Sequence, residues 1–268
     1  METKVFFSFR EALRRVKTGY FFISYRNQLY PFWWSVRDPE LAFTIFVPGR
    51  TNRDKDIPVF QRKSYADAVN SNVISIFDPS LFKARDIGIA WCVGDRHNHY
   101  AASIGKLLNV FFNAIKPAAV LIYASSAGGI PAFFIANEIE TPGTLYFNNV
   151  QTNASAYYPQ HYTKMVRTCF PAMTLSEFEV QYAERVNIIG KDCKSSLVYS
   201  QNIIDTFHFD HHYQPFKESY TGRALFIEYD DPESGHDVLS RDAEIGIINS
   251  LLFGEIDLNF IPSVKTKP

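Results

Sequence analysis

Ser126 lies in the run Ala124-Ser125-Ser126-Ala127-Gly128-Gly129, between an apolar stretch of strand formers at 120–123 and a second apolar stretch at 130–135. A strand that turns at once into a helix passes through a tight corner, and small residues on both sides relieve the clash there. A serine at the corner is pushed out of the backbone, facing the N-terminus of the new helix. There the N–H of Ala127 and the positive end of the helix dipole can hold an oxyanion. A tight turn without chemistry would use the same small residues, so the run needs partners before it implies a nucleophile. Ser125 is the competing nucleophile, but its place one residue before the corner aims it elsewhere.

A serine nucleophile needs a base, and the base needs a group to orient it. Residues 196–200 read as a strand running into Gln201-Asn202-Ile203-Ile204-Asp205, and residues 225–229 as a strand running into a loop that contains Gly235-His236. Asp205 as acid and His236 as base therefore both follow strands, in the order serine, acid, histidine. Asp210 competes with Asp205, and Asp230 and Asp231 do so more weakly. The second oxyanion donor belongs in the loop after the third strand, as the backbone N–H of Gly49, Arg50 or Thr51, and the sequence does not choose among them. His208, His211 and His212 surround Asp210, and helical spacing puts His208 and His212 on one face. No fourth ligand is evident and the triad accounts for the region, so no metal is expected. His97 and His99 read as part of a polar loop. Arg50, Arg53, Lys55, Arg62 and Lys63 form a basic stretch that is either a solvated face or, near the mouth of the site, an attractor for an anionic acceptor or a cofactor phosphate. Arg53, His208 and Tyr157 are the candidate substrate contacts.

The elements that must position these groups alternate. Residues 5–15 read as a strand running into a short amphipathic helix, 20–25 and 29–36 as a hairpin about Arg26-Asn27-Gln28, and 41–47 as a third strand ended by Pro48-Gly49. A strand at 72–77 and a helix at 103–115 precede the elbow strand and its helix. A short strand at 144–147 follows, then a helical insertion or cap over the strand ends at about 151–194. After it come a strand at 196–200, a helix at 209–220 interrupted near Pro215, a strand at 224–229 and a helix at 241–253. This order predicts an α/β fold in one domain spanning 1–268. Its sheet is mostly parallel and covered by helices on both faces, with an antiparallel hairpin at the N-terminal side. Ligands of such sheets bind beyond the carboxyl ends of the strands, where the elbow lies.

Hydrophobic residues at 46% and charged residues at 21% fit a soluble globular chain, and the net charge of -1 gives no reason to expect nucleic acid or an anionic membrane as partner. No apolar run approaches the ~20 residues of a spanning helix, and the N-terminus lacks a signal-peptide layout. Three widely spaced cysteines argue for a reducing compartment and against a disulfide framework. A cytoplasmic location is expected, with a place at the periphery of the inner membrane, a membrane-associated assembly or a homo-oligomer left open. The 24 Phe and 15 Tyr imply a bulky core, and Tyr157, Tyr158 and Tyr162 in the insertion either pack there or stack on sugar rings.

The combination of residues 124–129 (ASSAGG), 205–208 (DTFH) and 234–237 (SGHD) resembles the α/β-hydrolase-fold O-acetyltransferases of bacterial capsule biosynthesis. That family reads Gly-Ser-Ser-x-Gly-Gly, Asp-x-x-His and Gly-His-Asp at these places, and this chain departs from it at Ala124. The resemblance implies an α/β-hydrolase fold with Ser126 as nucleophile, Asp205 as acid and His236 as base. It further implies acetyl-coenzyme A as co-substrate and a hydroxyl of a surface polysaccharide as acceptor. Esterases or deacetylases of the same fold, with water as acceptor, are nearly as similar. A non-catalytic scaffold in a glycan assembly or export complex is the third reading.

Overall fold

An N-terminal hairpin whose strands alternate in burial and the near-continuously buried strands that follow it divide the sheet into two parts. The computed structural model describes residues 4–233, 235–236 and 239–256. The first part holds β1 (Val5–Phe6), α1 (Phe9–Arg15), β2 (Thr18–Tyr25) and β3 (Gln28–Ser35). Ser8 caps α1 by accepting the Glu11 N–H at 3.2 Å. The β2–β3 turn pairs Tyr25 with Gln28 across Arg26 and Asn27, whose φ angles of 50° and 59° match the twist of the strands.

The second part holds β4 (Phe43–Val47), β5 (Asn72–Ile76), α2 (Tyr100–Ile115), β6 (Val120–Ser126), α3 (Gly129–Glu138) and β7 (Gly143–Val150). It continues with α4 (Pro159–Cys169), α5 (Leu175–Gln181) and β8 (Ser196–Asn202). A helical run follows, made of α6 (Thr206–His208), a π-helical turn (Phe209–Tyr213) and α7 (Gln214–Ser219). β9 (Ala224–Tyr229) and α8 (Arg241–Leu252) complete the chain's described elements. Among the described residues nine strands form one sheet in the order β1-β2-β3-β5-β4-β6-β7-β8-β9. β3 pairs antiparallel with β2 and β5, and every other neighbouring pair is parallel. This is the mixed sheet and N-terminal hairpin expected from the pattern.

Side chains alternate across β6 and so divide between two cores. Val120, Ile122 and Ala124 pack with residues of α2 and α3, including Phe111, Phe112 and Phe133. Leu121 and Tyr123 pack with Ile247 and Ile248 of α8. Residues 152–188 leave the sheet and return to it at one point: the Ile188 N–H donates to the Thr152 carbonyl at 2.9 Å, and Asn153 bridges Asn187. Inside this excursion Thr174 and Glu177 form a reciprocal capping box on α5. Among the described residues no helix is long and apolar enough to cross a membrane.

Three details depart from expectation. The helix around Pro215 is not interrupted. The π-helical turn runs directly into α7, and Pro215 falls just past the point where the run changes from π to α geometry. The strand expected at 144–147 runs on to Val150, where the buried Asn149 accepts the Asn202 N–H at 2.7 Å and donates to the Tyr229 hydroxyl at 3.0 Å. His99 does end a loop, but it is half-buried rather than solvated. It precedes α2 with its ring 4.7 Å from that of Phe134, and burial, aided by nearby cations, pushes its pKa down to about 3.

Candidate active site

The corner after β6 is built from close approaches that only small residues permit. Ser126 has φ 50°, a left-handed conformation that costs a non-glycine residue about 1–2 kcal/mol. A Cβ on Gly128 would stand 2.9 Å from the Val47 carbonyl oxygen, and one on Gly129 would stand 2.5 Å from the Cβ of Val150. The two glycines thus let α3 begin directly against β4 and β7. Ala124 occupies an ordinary strand position between Val47 and Phe147, so the methyl group that departs from the glycine of the resembled motif fits.

The structure brings Ser126, His236 and Asp205 together. Ser126 Oγ lies 3.2 Å from His236 Nε2, and His236 Nδ1 lies 2.6 Å from Asp205 Oδ2. A ring nitrogen beside a carboxylate carries its proton there, which leaves the Nε2 lone pair facing the serine hydroxyl. Asp205 caps α6 and is buried. Burial alone would raise its pKa, but hydrogen bonds from His208 and His236 outweigh this and hold the carboxyl well below its usual range. Asp205 therefore stays an anion through the neutral range, as a group that orients an imidazole must.

His208 is not at the substrate side. Its Nδ1 lies 3.0 Å and 2.9 Å from the two Asp205 oxygens, and its ring stacks on that of His236 at 3.8 Å and 13°. Burial lowers its pKa more than the Asp205 hydrogen bond raises it, so it serves as a neutral N–H donor to the acid. One ligand atom each from Asp205, His208 and His236 lies within 4.8 Å of the others, a spacing that would admit a metal. Two atoms on one tetrahedral ion at about 2.1 Å each would be about 3.4 Å apart. The 2.6 Å contact between His236 and Asp205 is the length of a charge-assisted hydrogen bond instead.

Asn202, fully buried at the end of β8, ties the loops of acid and base together. Its Oδ1 accepts the N–H groups of Ile204 and Asp231 at 3.3 and 3.1 Å, and its Nδ2 donates to the carbonyls of Asp231 and Gly235 at 2.7 and 2.9 Å. Sequence reading passed over this residue. A polar side chain closing a strand just before the acid was its one signal.

The loop after β4 refines the choice of oxyanion donor. The Gly49 N–H donates to Gln61 Oε1 at 3.1 Å and the Thr51 N–H to the Gly88 carbonyl at 2.8 Å, which takes both out of the donor set. Gln61 Nε2 also donates to the Arg50 carbonyl at 2.9 Å. Gln61 thus grips the chain on either side of the Gly49–Arg50 peptide, leaving the Arg50 N–H as the candidate partner of Ala127. If that peptide donates to an oxyanion, Gln61→Ala is expected to lower kcat by ~10²-fold with little change in KM. Steady-state kinetics on an aryl acetate reads this, and an unchanged kcat would take Gln61 out of the site.

Behind the elbow, Arg62 is not the solvated cation its neighbours suggested. It makes a two-point ion pair with the fully buried Glu244 of α8, at 3.0 Å for each contact. Glu244 also accepts from the hydroxyls of Tyr65 and Tyr123. Arg62 Nη2 reaches Ser125 Oγ at 3.1 Å, so Ser125 faces this cluster across the sheet rather than His236. Glu244→Gln leaves the guanidinium buried without its charge partner and is expected to destabilise the fold by about 3–5 kcal/mol. Denaturant unfolding checks this, and a loss below about 1 kcal/mol would contradict it.

The remaining candidates lie to one side. Tyr157 packs its ring against Trp91, His161 and His208. Arg53 donates to the carbonyls of Arg85 and Ala84 at 2.9 and 3.2 Å. Arg50 and Arg53 line a cleft of about 710 Å³ that runs between the loop after β4 and helix α4.

No family model matches the chain, and no curated protein matches it. Solved structures do. The capsule O-acetyltransferase of Neisseria meningitidis serogroup A is similar at 12% identity and TM-score 0.52, covering 77% of this chain and 88% of its own. A 2,6-dihydroxy-pseudo-oxynicotine hydrolase is similar at 12% identity and TM-score 0.63, with 97% and 75% covered. An acetyl xylan esterase from Paenibacillus sp. R4 is similar at 10% identity and TM-score 0.56, with 85% and 80% covered. The chain thus has the α/β-hydrolase fold, shared with an acetyltransferase, a hydrolase and an esterase.

Proposed function

We propose that this protein is a serine acyltransferase that works through an acyl-Ser126 intermediate. The observation that carries the reading is the unbroken chain from Ser126 Oγ through His236 to the Asp205 carboxylate, at a strand-to-helix corner. His236 Nε2 takes the serine proton as Oγ attacks an acyl carbonyl, and Asp205 stabilises the imidazolium. The N–H groups of Ala127 and Arg50 hold the tetrahedral oxyanion. The imidazolium then protonates the leaving group. His236 next activates the hydroxyl that takes the acyl group. The resemblance at the three motifs supports acetyl-coenzyme A as donor and a hydroxyl of a bacterial surface polysaccharide as acceptor.

Hydrolysis is the second reading, favoured by one observation: the His236 side chain is 40% exposed, so water reaches the base. Intact-protein mass spectrometry separates the two. A transferase holds an acetyl group on Ser126 after acetyl-coenzyme A and releases it faster when a glycan is added. Fast release as acetate, indifferent to glycan, supports the esterase. Absence of any acyl-enzyme with either donor, together with no turnover, would leave the scaffold reading.

A further inference from the structure

The ion pair behind the elbow reaches the reaction centre at two points. Arg62 Nη2 donates to Ser125 Oγ at 3.1 Å, and Ser125 is the residue before the nucleophile. Arg62 is also the chain neighbour of Gln61, whose side-chain amide holds the Gly49 N–H at 3.1 Å and the Arg50 carbonyl at 2.9 Å. The loop gripped in this way stands against the elbow. A Cβ on Gly49 would lie 3.2 Å from the Ser125 carbonyl oxygen and 3.5 Å from Ser126 Cβ. The contacts therefore close a ring, from Ser126 through Ser125, Arg62, Gln61 and Gly49 back to Ser126, and the Arg50 N–H is carried on it.

Arg62 is a fixed member of this ring. Its side chain is only 10% exposed and forks onto both oxygens of Glu244. The guanidinium also lies 4.5 Å from the centre of the Tyr123 ring, on the strand that carries Ser126. The backbone of Arg62 is left-handed, with φ 58°, a conformation that few non-glycine residues adopt. The Gln61 carbonyl accepts from Ser75 Oγ of β5 at 2.7 Å. Gln61 is thus held from β5 directly and from β6 through Arg62.

We propose that Arg62 is a positioning residue for the oxyanion hole, setting the separation between Ser126 and the Arg50 N–H through Ser125 on one side and Gln61 on the other. This role deepens the acyl-transfer reading and rests on it. A reacting group misplaced by ~1 Å can cost ~10²-fold in rate, so a rigid link between nucleophile and oxyanion donor has kinetic worth beyond its part in the fold.

Arg62→Lys keeps a positive charge beside Glu244 but lacks the planar fork that reaches Glu244 and Ser125 at once. On an aryl acetate its kcat should fall by ~10-fold or more while KM stays within about twofold of the parent's. Ser125→Ala cuts only the contact with the elbow strand, so it decides the matter if the lysine protein does not fold. It should lower kcat by about fivefold with an unchanged melting curve. Phenylboronic acid forms a tetrahedral adduct on a nucleophilic serine that carries the oxyanion's charge, and its inhibition should weaken in each variant by the same factor as kcat. In Gln61→Ala protein the link no longer leads to the oxyanion loop, and there Ser125→Ala should change kcat by less than about twofold. Parent-like kcat and boronate inhibition in folded Ser125→Ala, or a loss that persists undiminished in the Gln61→Ala background, overturns the positioning role and leaves Arg62 and Glu244 a structural pair. A parent protein that turns over no aryl acetate and takes up no boronate overturns the acyl-transfer reading, and the positioning role with it.

Discussion

Ser126→Ala is expected to lower kcat for ester turnover by ~10⁴-fold or more while leaving the protein folded. The Oγ is the atom that forms the acyl bond, and no other hydroxyl can replace it. Ser125 Oγ faces Arg62 on the other side of the sheet. The fold should tolerate the change, because alanine at φ 50° costs about what serine costs, and the corner is held by the close packing of Gly128 and Gly129. The measurement is kcat on an aryl acetate, with intact mass to confirm that no acyl-enzyme accumulates. Retention of more than about a tenth of the parent rate would remove the nucleophile from the account.

Asp205→Asn should have the second-largest effect, ~10⁴-fold in kcat, for a reason particular to this site. The carboxylate accepts from two imidazoles at once, His236 and His208. An amide offers one accepting oxygen and one donating NH2 group, so one of the two rings must turn over to the other tautomer. If that ring is His236, its Nε2 carries a hydrogen and cannot take the serine proton. The same substitution has a signature in stability. The folded pKa of Asp205 lies below the unfolded value near ~3.9, so its contribution is present above that pH and is lost as pH falls through the folded value. The gap in unfolding free energy between parent and variant should therefore close in strong acid, below about pH 4. A gap that stays fully open there would contradict the ionisation assigned here.

Much of this arrangement was legible in the chain because it depends on local rules. Small residues between two apolar runs marked the corner, and acid and histidine each followed a recognisable strand. Gly49 as an oxyanion donor was not excluded in advance, since that depends on Gln61 reaching back from a separate turn. Arg62 could not be separated from its basic neighbours, because its partner Glu244 sits on the last helix, where it reads as one more acid on an amphipathic element. His208 carried the right residue type but the wrong role: whether a histidine meets substrate or props the acid depends on the ring it stacks against, which is far away in the chain. In each case the missing information was a contact between distant segments.

The helical excursion that departs at Thr152 and closes at Ile188 has a consequence for how this protein can diversify. Its two ends are fastened to each other, so its length is uncoupled from the spacing of the strands it joins. Away from Tyr157, whose ring packs against His208, residues can be gained, lost or exchanged there without shifting nucleophile, acid or base. Because Gln160, His161 and Lys164 of this segment form one wall of the cleft beside Arg50 and Arg53, the lining of that cleft can vary while the strand ends that carry Ser126 and Asp205 stay where they are.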